Sequence, residues 1–319
     1  MPQYDVIISG GGMVGASLAC ALSGKGLRIA QVEAVELQTR AAPGYDDRAI
    51  ALAYGTRRIF EGLQLWDSLA AEATPIHHIH VSDRGRFGMV HMDCAEEGLP
   101  ALGYVVPARV IGDVLSAAVS QIGELDSYCP ATVTSVSQTD AAINVDVACE
   151  GGTTTLSGAL LVAADGADSP LREQFAIEHV ESDYRQSAIV TNITPQLAHN
   201  NIAYERFTDS GPMALLPMAG QRCAVVWTVD SSRVDEVMAL DDADFLAALQ
   251  ERFGYRLGRL DRVGRRQAWP LRLVQAKESV RERLALIGNA IHTLHPVAGQ
   301  GFNLGARDVA VLAEVLVDA

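Results

Sequence analysis

Leu286-Ile287-Gly288-Asn289-Ala290, followed by His295-Pro296-Val297-Ala298-Gly299-Gln300-Gly301-Phe302-Asn303, decides how this chain is read. Alone, the stretch is an apolar strand running into a glycine-rich loop. Its weight comes from two segments of the same kind elsewhere. Gly10-Gly11-Gly12-Met13-Val14-Gly15 opens the chain, and Ala164-Asp165-Gly166-Ala167-Asp168-Ser169 lies near its middle. Free backbone N–H groups at such turns bind phosphate and other anions. Three of them can wrap one long dinucleotide from end to end, whereas a chain that only borrows NAD usually needs the first.

Gly10, Gly12 and Gly15 form G-x-G-x-x-G after an apolar strand over 4–9 and before a helix over 14–23. The first glycine permits the tight turn, the second lets a pyrophosphate approach the helix N-terminus, and the third allows close helix–strand packing. A second strand over 27–32 ends at Glu33, where a carboxylate would accept hydrogen bonds from ribose hydroxyls and repel a 2′-phosphate.

The other two segments are weaker taken singly. Asp165-Gly166 also reads as an ordinary turn, with Ser169 and Arg172 forming a polar cluster able to face phosphate or nicotinamide. Asn289 beside Gly288 offers both a donor and an acceptor to ribityl hydroxyls. Gly299-Gln300-Gly301 before a helix can set N–H groups against a flavin edge that gathers negative charge on reduction. The histidines His77, His78, His80, His292 and His295 are not expected to hold a metal, which needs converging ligands and usually a carboxylate or thiolate among them.

Composition narrows the class. The 319 residues are 49% hydrophobic and 20% charged, as in a globular protein with a sizeable core. A net charge of −14 argues against nonspecific nucleic-acid binding. Arginines 252, 256, 259, 262, 265, 266 and 272 form a local exception, read either as a solvated face or as a patch for an anionic membrane or acidic partner. Five scattered cysteines without a C-x-x-C pair suit reduced thiols in the cytoplasm. No signal peptide and no membrane span are expected. The chain stops at Ala319 inside a predicted helix without a cap, so a C-terminal helical part is expected to be absent.

The fold class read from these patterns is α/β, a Rossmann-like nucleotide-binding domain interleaved with a β-sheet substrate domain. Segments 1–70, 101–180 and 276–319 are assigned to the first, and 71–100 and 181–275 to the second. A single helix is predicted over 55–69 and hairpins around Arg84-Gly85 and Thr139-Asp140. Apolar residues over 213–217 and 225–227 suit either a pocket wall or sheet core.

Together the three segments resemble those of the flavoprotein aromatic hydroxylases related to p-hydroxybenzoate hydroxylase. Within that group the likeness is to the ubiquinone-biosynthesis hydroxylases, the 2-polyprenyl-6-methoxyphenol hydroxylases in particular. Asp46-Asp47-Arg48-Ala49-Ile50-Ala51-Leu52, His80-Val81-Ser82-Asp83-Arg84-Gly85, Glu205-Arg206-Phe207-Thr208 with Gly211-Pro212, and Leu294-His295-Pro296 through Arg307-Asp308 carry it. The resemblance implies FAD as cofactor, NAD(P)H as co-substrate, and transfer of one oxygen of O2 to an electron-rich, lipophilic phenol. It implies that Gly10, Gly12, Gly15 and Glu33 hold the ADP half, and that Arg48 and Arg109 contact FAD. By the same match, Asp165 with Gly166 belongs to a shared FAD and NAD(P)H motif, and Gly288 and Asn289 face the ribityl chain. Pro296, Gly299, Gln300, Gly301, Phe302 and Asn303 line the isoalloxazine.

No side chain declares itself as catalytic base, though Tyr204, His295 and Pro296 are candidates near the flavin. The broader family has Asp where this chain has Asn289, which removes a charge-assisted bond. Members also continue past residue 319. The implied setting is cytoplasmic, peripheral at an inner membrane or in a ubiquinone-biosynthesis complex. Two other readings remain: an NAD-dependent dehydrogenase, which has no need of the 288–301 segment, and a non-catalytic flavin-binding subunit of a biosynthetic complex.

Overall fold

The computed structural model describes residues 3–35, 45 and 47–318, apart from the side chain of Ala298. Five strands lie side by side and parallel, in the order Leu284–Leu286, Gly152–Ala163, Tyr4–Ser9, Ile29–Val32 and Leu125–Tyr128. Parallel strands buried on both faces need continuous apolar runs, and Val6, Ile7, Ile8, Leu161 and Val162 are buried to 2% exposure or less. The helices Met13–Leu22 and Gln300–Asp318 cover one face through Leu18, Leu22, Val309 and Ala313. The antiparallel pair Ala131–Gln138 and Ile143–Cys149 helps cover the other, with Val145, Val147 and Leu156 meeting Tyr4 and Ile7.

The strand Gly152–Ala163 does two things. Its first half completes that antiparallel pair, and from Gly158 onward it runs parallel to Tyr4–Ser9. Gly158 sits at the change, where an added Cβ would lie 2.8 Å from Ile7 Cδ1.

A nine-stranded sheet joins 78–93 to 179–276 across a long gap in sequence. The helix Asp242–Phe253 packs on one face of it, over Met213, Leu215, Val225 and Trp227. The other face looks back toward the parallel sheet.

Three local outcomes differ from the sequence reading. The helix expected over 55–69 is two, Tyr54–Gly62 and Trp66–Ala70, parted at Gln64, which takes φ 60°. A small third sheet of Ala49–Ala53, Gly103–Pro107 and Thr74–Ile76 stands between the larger two. His292–Thr293, inside the segment assigned to the nucleotide-binding part, pairs with the second sheet.

The close packing of Met13–Leu22 on the parallel sheet yields a prediction. A Cβ on Gly15 would lie 1.9 Å from Gly10 O, whereas one on Gly12 would meet nothing within 4 Å. Gly15→Ala should therefore destabilise the fold by roughly 3 kcal/mol or more. Gly12→Ala should melt like the parent yet weaken binding of the dinucleotide expected at this turn, which the resemblance implies is FAD, by about tenfold, a loss of ~1.4 kcal/mol. Thermal melts beside flavin titrations check both; equal behaviour of the two variants would refute the distinction.

Candidate active site

Because Leu284–Leu286, Gly152–Ala163 and Tyr4–Ser9 are parallel neighbours, the turns that follow them open at one sheet edge. This is where open parallel sheets bind ligands. Gly10 takes φ +110°, and a Cβ there would strike Ala164 O at 2.3 Å, so the first two turns touch through backbone. Gly288 takes φ +62° against Val14, which ties the third turn to the first helix.

Two cavities meet at this edge, sharing Gly12, Ala164 and Gly166. The smaller, about 340 Å³, is lined by Gly10, Glu33, Asp165 and Thr132 among others. The larger, about 850 Å³, runs from Gly12, Met13 and Val14 past Asn289 and Pro296 to the free face of the second sheet.

Glu33 Oε2 accepts from the Gly11 N–H at 2.5 Å, and its Oε1 from the Val35 N–H at 2.8 Å. The carboxylate thus braces the glycine turn while standing at the wall of the smaller cavity. Asp165 Oδ2 accepts from the Leu171 N–H at 3.2 Å, but the buried Oδ1 has no partner among the described residues. Burial pushes the Asp165 carboxyl above its ordinary range, against the pull of Ser169, the Leu171 N–H and the Arg172 charge. An orphaned acceptor facing a cavity fits a ligand that brings hydroxyl donors, and the Cβ-free space at Gly12 fits a pyrophosphate. FAD therefore fits these residues.

Arg172 corrects the polar-cluster expectation. It is 3% exposed, and its guanidinium donates to Ala290 O at 3.0 Å and Ala167 O at 2.8 Å. It pins the second turn to the third instead of facing phosphate. Ser169 is fully buried and caps the helix Pro170–Gln174. Asp308, on the last helix, accepts from the Gly288 N–H at 2.9 Å and holds the third turn from the other side.

Around the larger cavity, Pro296, Gly299, Gln300, Gly301 and Phe302 all line the wall, as do Arg48, Asn289 and Gly166. Asn303 does not. It is 1% exposed; its Oδ1 accepts from the Ala53 N–H and the Thr56 hydroxyl, and its Nδ2 donates to Ala51 O and Gly299 O. All its polar capacity ties the last helix to the strand Ala49–Ala53, so it shapes the loop from behind. Arg109 also lies outside both cavity walls; it pairs with Asp47 at 3.0 Å and with Glu72. Asp46 lies outside the described residues.

The candidate bases separate. The His295 ring packs edge-on against Tyr184 at 5.1 Å and its Nδ1 accepts from the Val297 N–H, outside the wall of the larger cavity. Burial lowers its pKa, so it is neutral at physiological pH. Tyr204 borders the cavity, but its ring stacks edge-on with Phe253 in the helix-covered core. Burial raises its pKa, which leaves it protonated and a poor base. The ambiguous apolar runs resolve by alternation: Ala214, Leu216 and Val226 line the cavity, while Met213, Leu215, Val225 and Trp227 are core.

One cavity residue had no role assigned from sequence. Glu205 lines the wall, and burial alone pushes its carboxyl up to about 7. The available signal was a lone acid between Ala203 and Phe207 at one face of a strand.

The family model described as "FAD binding domain" matches residues 3–319. The chain belongs to that family. Ubiquinone hydroxylase UbiL of Rhodospirillum rubrum is 39% identical over 315 residues, covering 99% of this chain and 72% of its own. The 3-demethoxyubiquinol 3-hydroxylase of Escherichia coli is 30% identical, covering 99% of this chain and 80% of its own. In fold the chain is similar to PqsL of Pseudomonas aeruginosa in complex with 2-aminobenzoylacetate, with a TM-score of 0.81 at 21% identity, covering 98% of this chain and 86% of that one. FAD is accordingly the cofactor, and flavin-dependent monooxygenation the reaction class.

Two outcomes follow from the site. Asn303→Leu removes four hydrogen bonds at a buried position and should cost roughly 3 kcal/mol, read by urea unfolding. For Glu205, the folded pKa of about 7 lies above the ordinary 4.5, so the protonated form favours folding. Its ionisation penalty is absent below about pH 4.5 and complete above about pH 7, worth up to ~3 kcal/mol. Glu205→Gln should raise the melting temperature at pH 8 and leave it nearly unchanged at pH 4.5. A difference that stays constant across that window would contradict a half-buried carboxyl without an ion-pair partner.

Proposed function

We propose that this chain hydroxylates the aromatic ring of a polyprenyl phenol in ubiquinone biosynthesis, using NAD(P)H and O2. The observation that carries the reading is the continuity of the larger cavity. It joins the glycine turns of the FAD site to a sheet face made of Ile79, Val81, Ala214, Leu216 and Val226. A ring with an apolar tail fits such a wall, and the relatives named above are ubiquinone hydroxylases.

Bound FAD, once reduced, supplies the activation of O2. The residues do the rest. Gly10, Gly12 and Glu33 would receive the ADP half, and Asp165 and Asn289 the hydroxyls of the linking chain. The N-terminal turn of Gln300–Asp318 presents its backbone N–H groups where the flavin edge would lie. The apolar wall excludes water and so protects the activated oxygen from unproductive decay.

The hairpin of His78–Asp83 and Met89–Asp93 carries a fully exposed Phe87, with Met89 and Val90 more than half exposed. The same strand reaches the cavity at Met92. An apolar tip beside a cavity mouth supports peripheral docking on a membrane surface that holds the lipophilic phenol. The arginine run 252–272 supports it less. Arg252 pairs with Asp209 at 2.7 Å, Arg266 with Asp242 at 3.1 Å, and Arg272 with Asp168 and Glu181.

With FAD supplied, the full chain should oxidise NAD(P)H faster when a short-chain prenyl 2-methoxyphenol is added and should release a product one oxygen heavier. No acceleration and no product would sink the reading. Phe87→Asp should abolish co-sedimentation with anionic liposomes while flavin binding persists; unchanged sedimentation would reject the docking surface.

A further inference from the structure

Among the described residues lining the larger cavity, Glu205 is the one carboxyl. Ala203, Glu205 and Phe207 alternate onto the cavity face of Ile202–Thr208, and Tyr204 turns to the helix-covered side. In register, Glu205 stands between Ala214 on one neighbouring strand and Val81 on the other, both cavity residues. No described residue forms an ion pair with it. A carboxyl among apolar neighbours is costly to ionise and is kept at functional sites when a ligand completes it.

The surrounding titratable groups leave it isolated. His80 lies opposite Tyr204 in register and meets His91 at 3.2 Å on the far face. His78 is within 3.4 Å of Asp93, Asp83 pairs with Arg86 at 3.3 Å, and Cys223 is in the helix-covered core. Arg48 is the other charged residue of the described lining, and no ion pair joins it to Glu205.

We propose that Glu205 is the catalytic residue that receives the phenol hydroxyl of the substrate, accepting its hydrogen bond and then its proton. The inference rests on the phenol-hydroxylase reading above. The O–H bond breaks toward Glu205 Oε, and its electron pair stays on the phenol oxygen and delocalises into the ring. That raises electron density at the ring carbon that receives one oxygen atom of O2, the other leaving as water at the expense of NAD(P)H. The ring carbon then loses its hydrogen as a proton to solvent, and Glu205 returns its own proton to the original phenol oxygen. Glu205 ends as it began. A carboxyl raised to about 7 by burial matches this cycle, since it is part ionised at working pH and a far better acceptor than an ordinary carboxylate.

The test compares wild type, Glu205→Gln and Glu205→Asp, each loaded with FAD and each checked by its visible spectrum for an intact flavin site. Two probes are titrated against the oxidised protein by the flavin difference spectrum: a short-chain prenyl 2-methoxyphenol and its O-methyl ether, which has no phenol proton. Wild type should favour the phenol at least tenfold, with a preference that grows from pH 6 to 8. Glu205→Gln should bind the two equally at every pH, lose about a hundredfold in product formation, and divert NAD(P)H oxidation to hydrogen peroxide. Glu205→Asp should regain part of the preference. If Glu205→Gln keeps the wild-type preference, pH profile and coupling, the assignment of Glu205 falls and the hydroxylase reading stands. If wild type itself neither prefers the phenol nor forms product, the hydroxylase reading falls and takes this assignment with it.

Discussion

The structure depends on one close approach. Gly10 and Gly15 lie against each other and against Ala164, at distances where a single added methyl would overlap a carbonyl oxygen. That contact lets the helix Met13–Leu22 start directly above the edge where Tyr4–Ser9 and Gly152–Ala163 end. Leu284–Leu286, parallel on the far side, brings Gly288 within packing distance of Val14. Three loops separated by more than a hundred residues each thus form one rim. Arg172 and Asp308 then clamp the second and third loops through backbone groups, with no part in lining the cavity.

From that rim the cavity extends to a sheet with two unlike faces. The helix Asp242–Phe253 claims one face and leaves the other apolar, open and directed at the flavin loops. Period-two alternation does the sorting: along 213–216, each core side chain is followed by one that meets the cavity. Burial on the cavity side raises the Glu205 carboxyl, as burial also does at Asp165, whereas most acids of this acidic chain are exposed or paired. The same water exclusion that favours a lipophilic ring raises the pKa of Glu205. On the proposed reading, substrate fit and proton chemistry share one physical cause.

Much of the fold was legible because it rests on local chemistry. An apolar strand, a glycine turn, a helix and an acid at 33 read as a nucleotide-binding unit without any long-range information, as the spacing of Gly10, Gly12 and Gly15 demanded. Alternation marked the strands of the second sheet, and turn residues marked the hairpins near 84 and 139. The glycine turn ending at Gly299 was visible for the same reason, but the helix expected from Gly305 begins at Gln300, inside the segment read as loop.

What the chain could not reveal by itself is what each polar side chain meets. Asn303 reads as a loop residue beside the flavin, yet its four bonds go to the strand Ala49–Ala53, the Thr56 hydroxyl and Gly299. Arg172 reads as part of a polar cluster able to face phosphate or nicotinamide, yet burial commits it to two carbonyls. His295 sits in the right loop but packs on Tyr184 of a distant strand, and the only local sign at Glu205 was its place between Ala203 and Phe207, which does not tell a cavity face from a solvent face. Backbone turns are dictated by neighbours in sequence, so sequence alone determined the nucleotide-binding frame. Side-chain roles depend on partners and solvent access that exist only once remote strands are side by side, so the tertiary structure decided them.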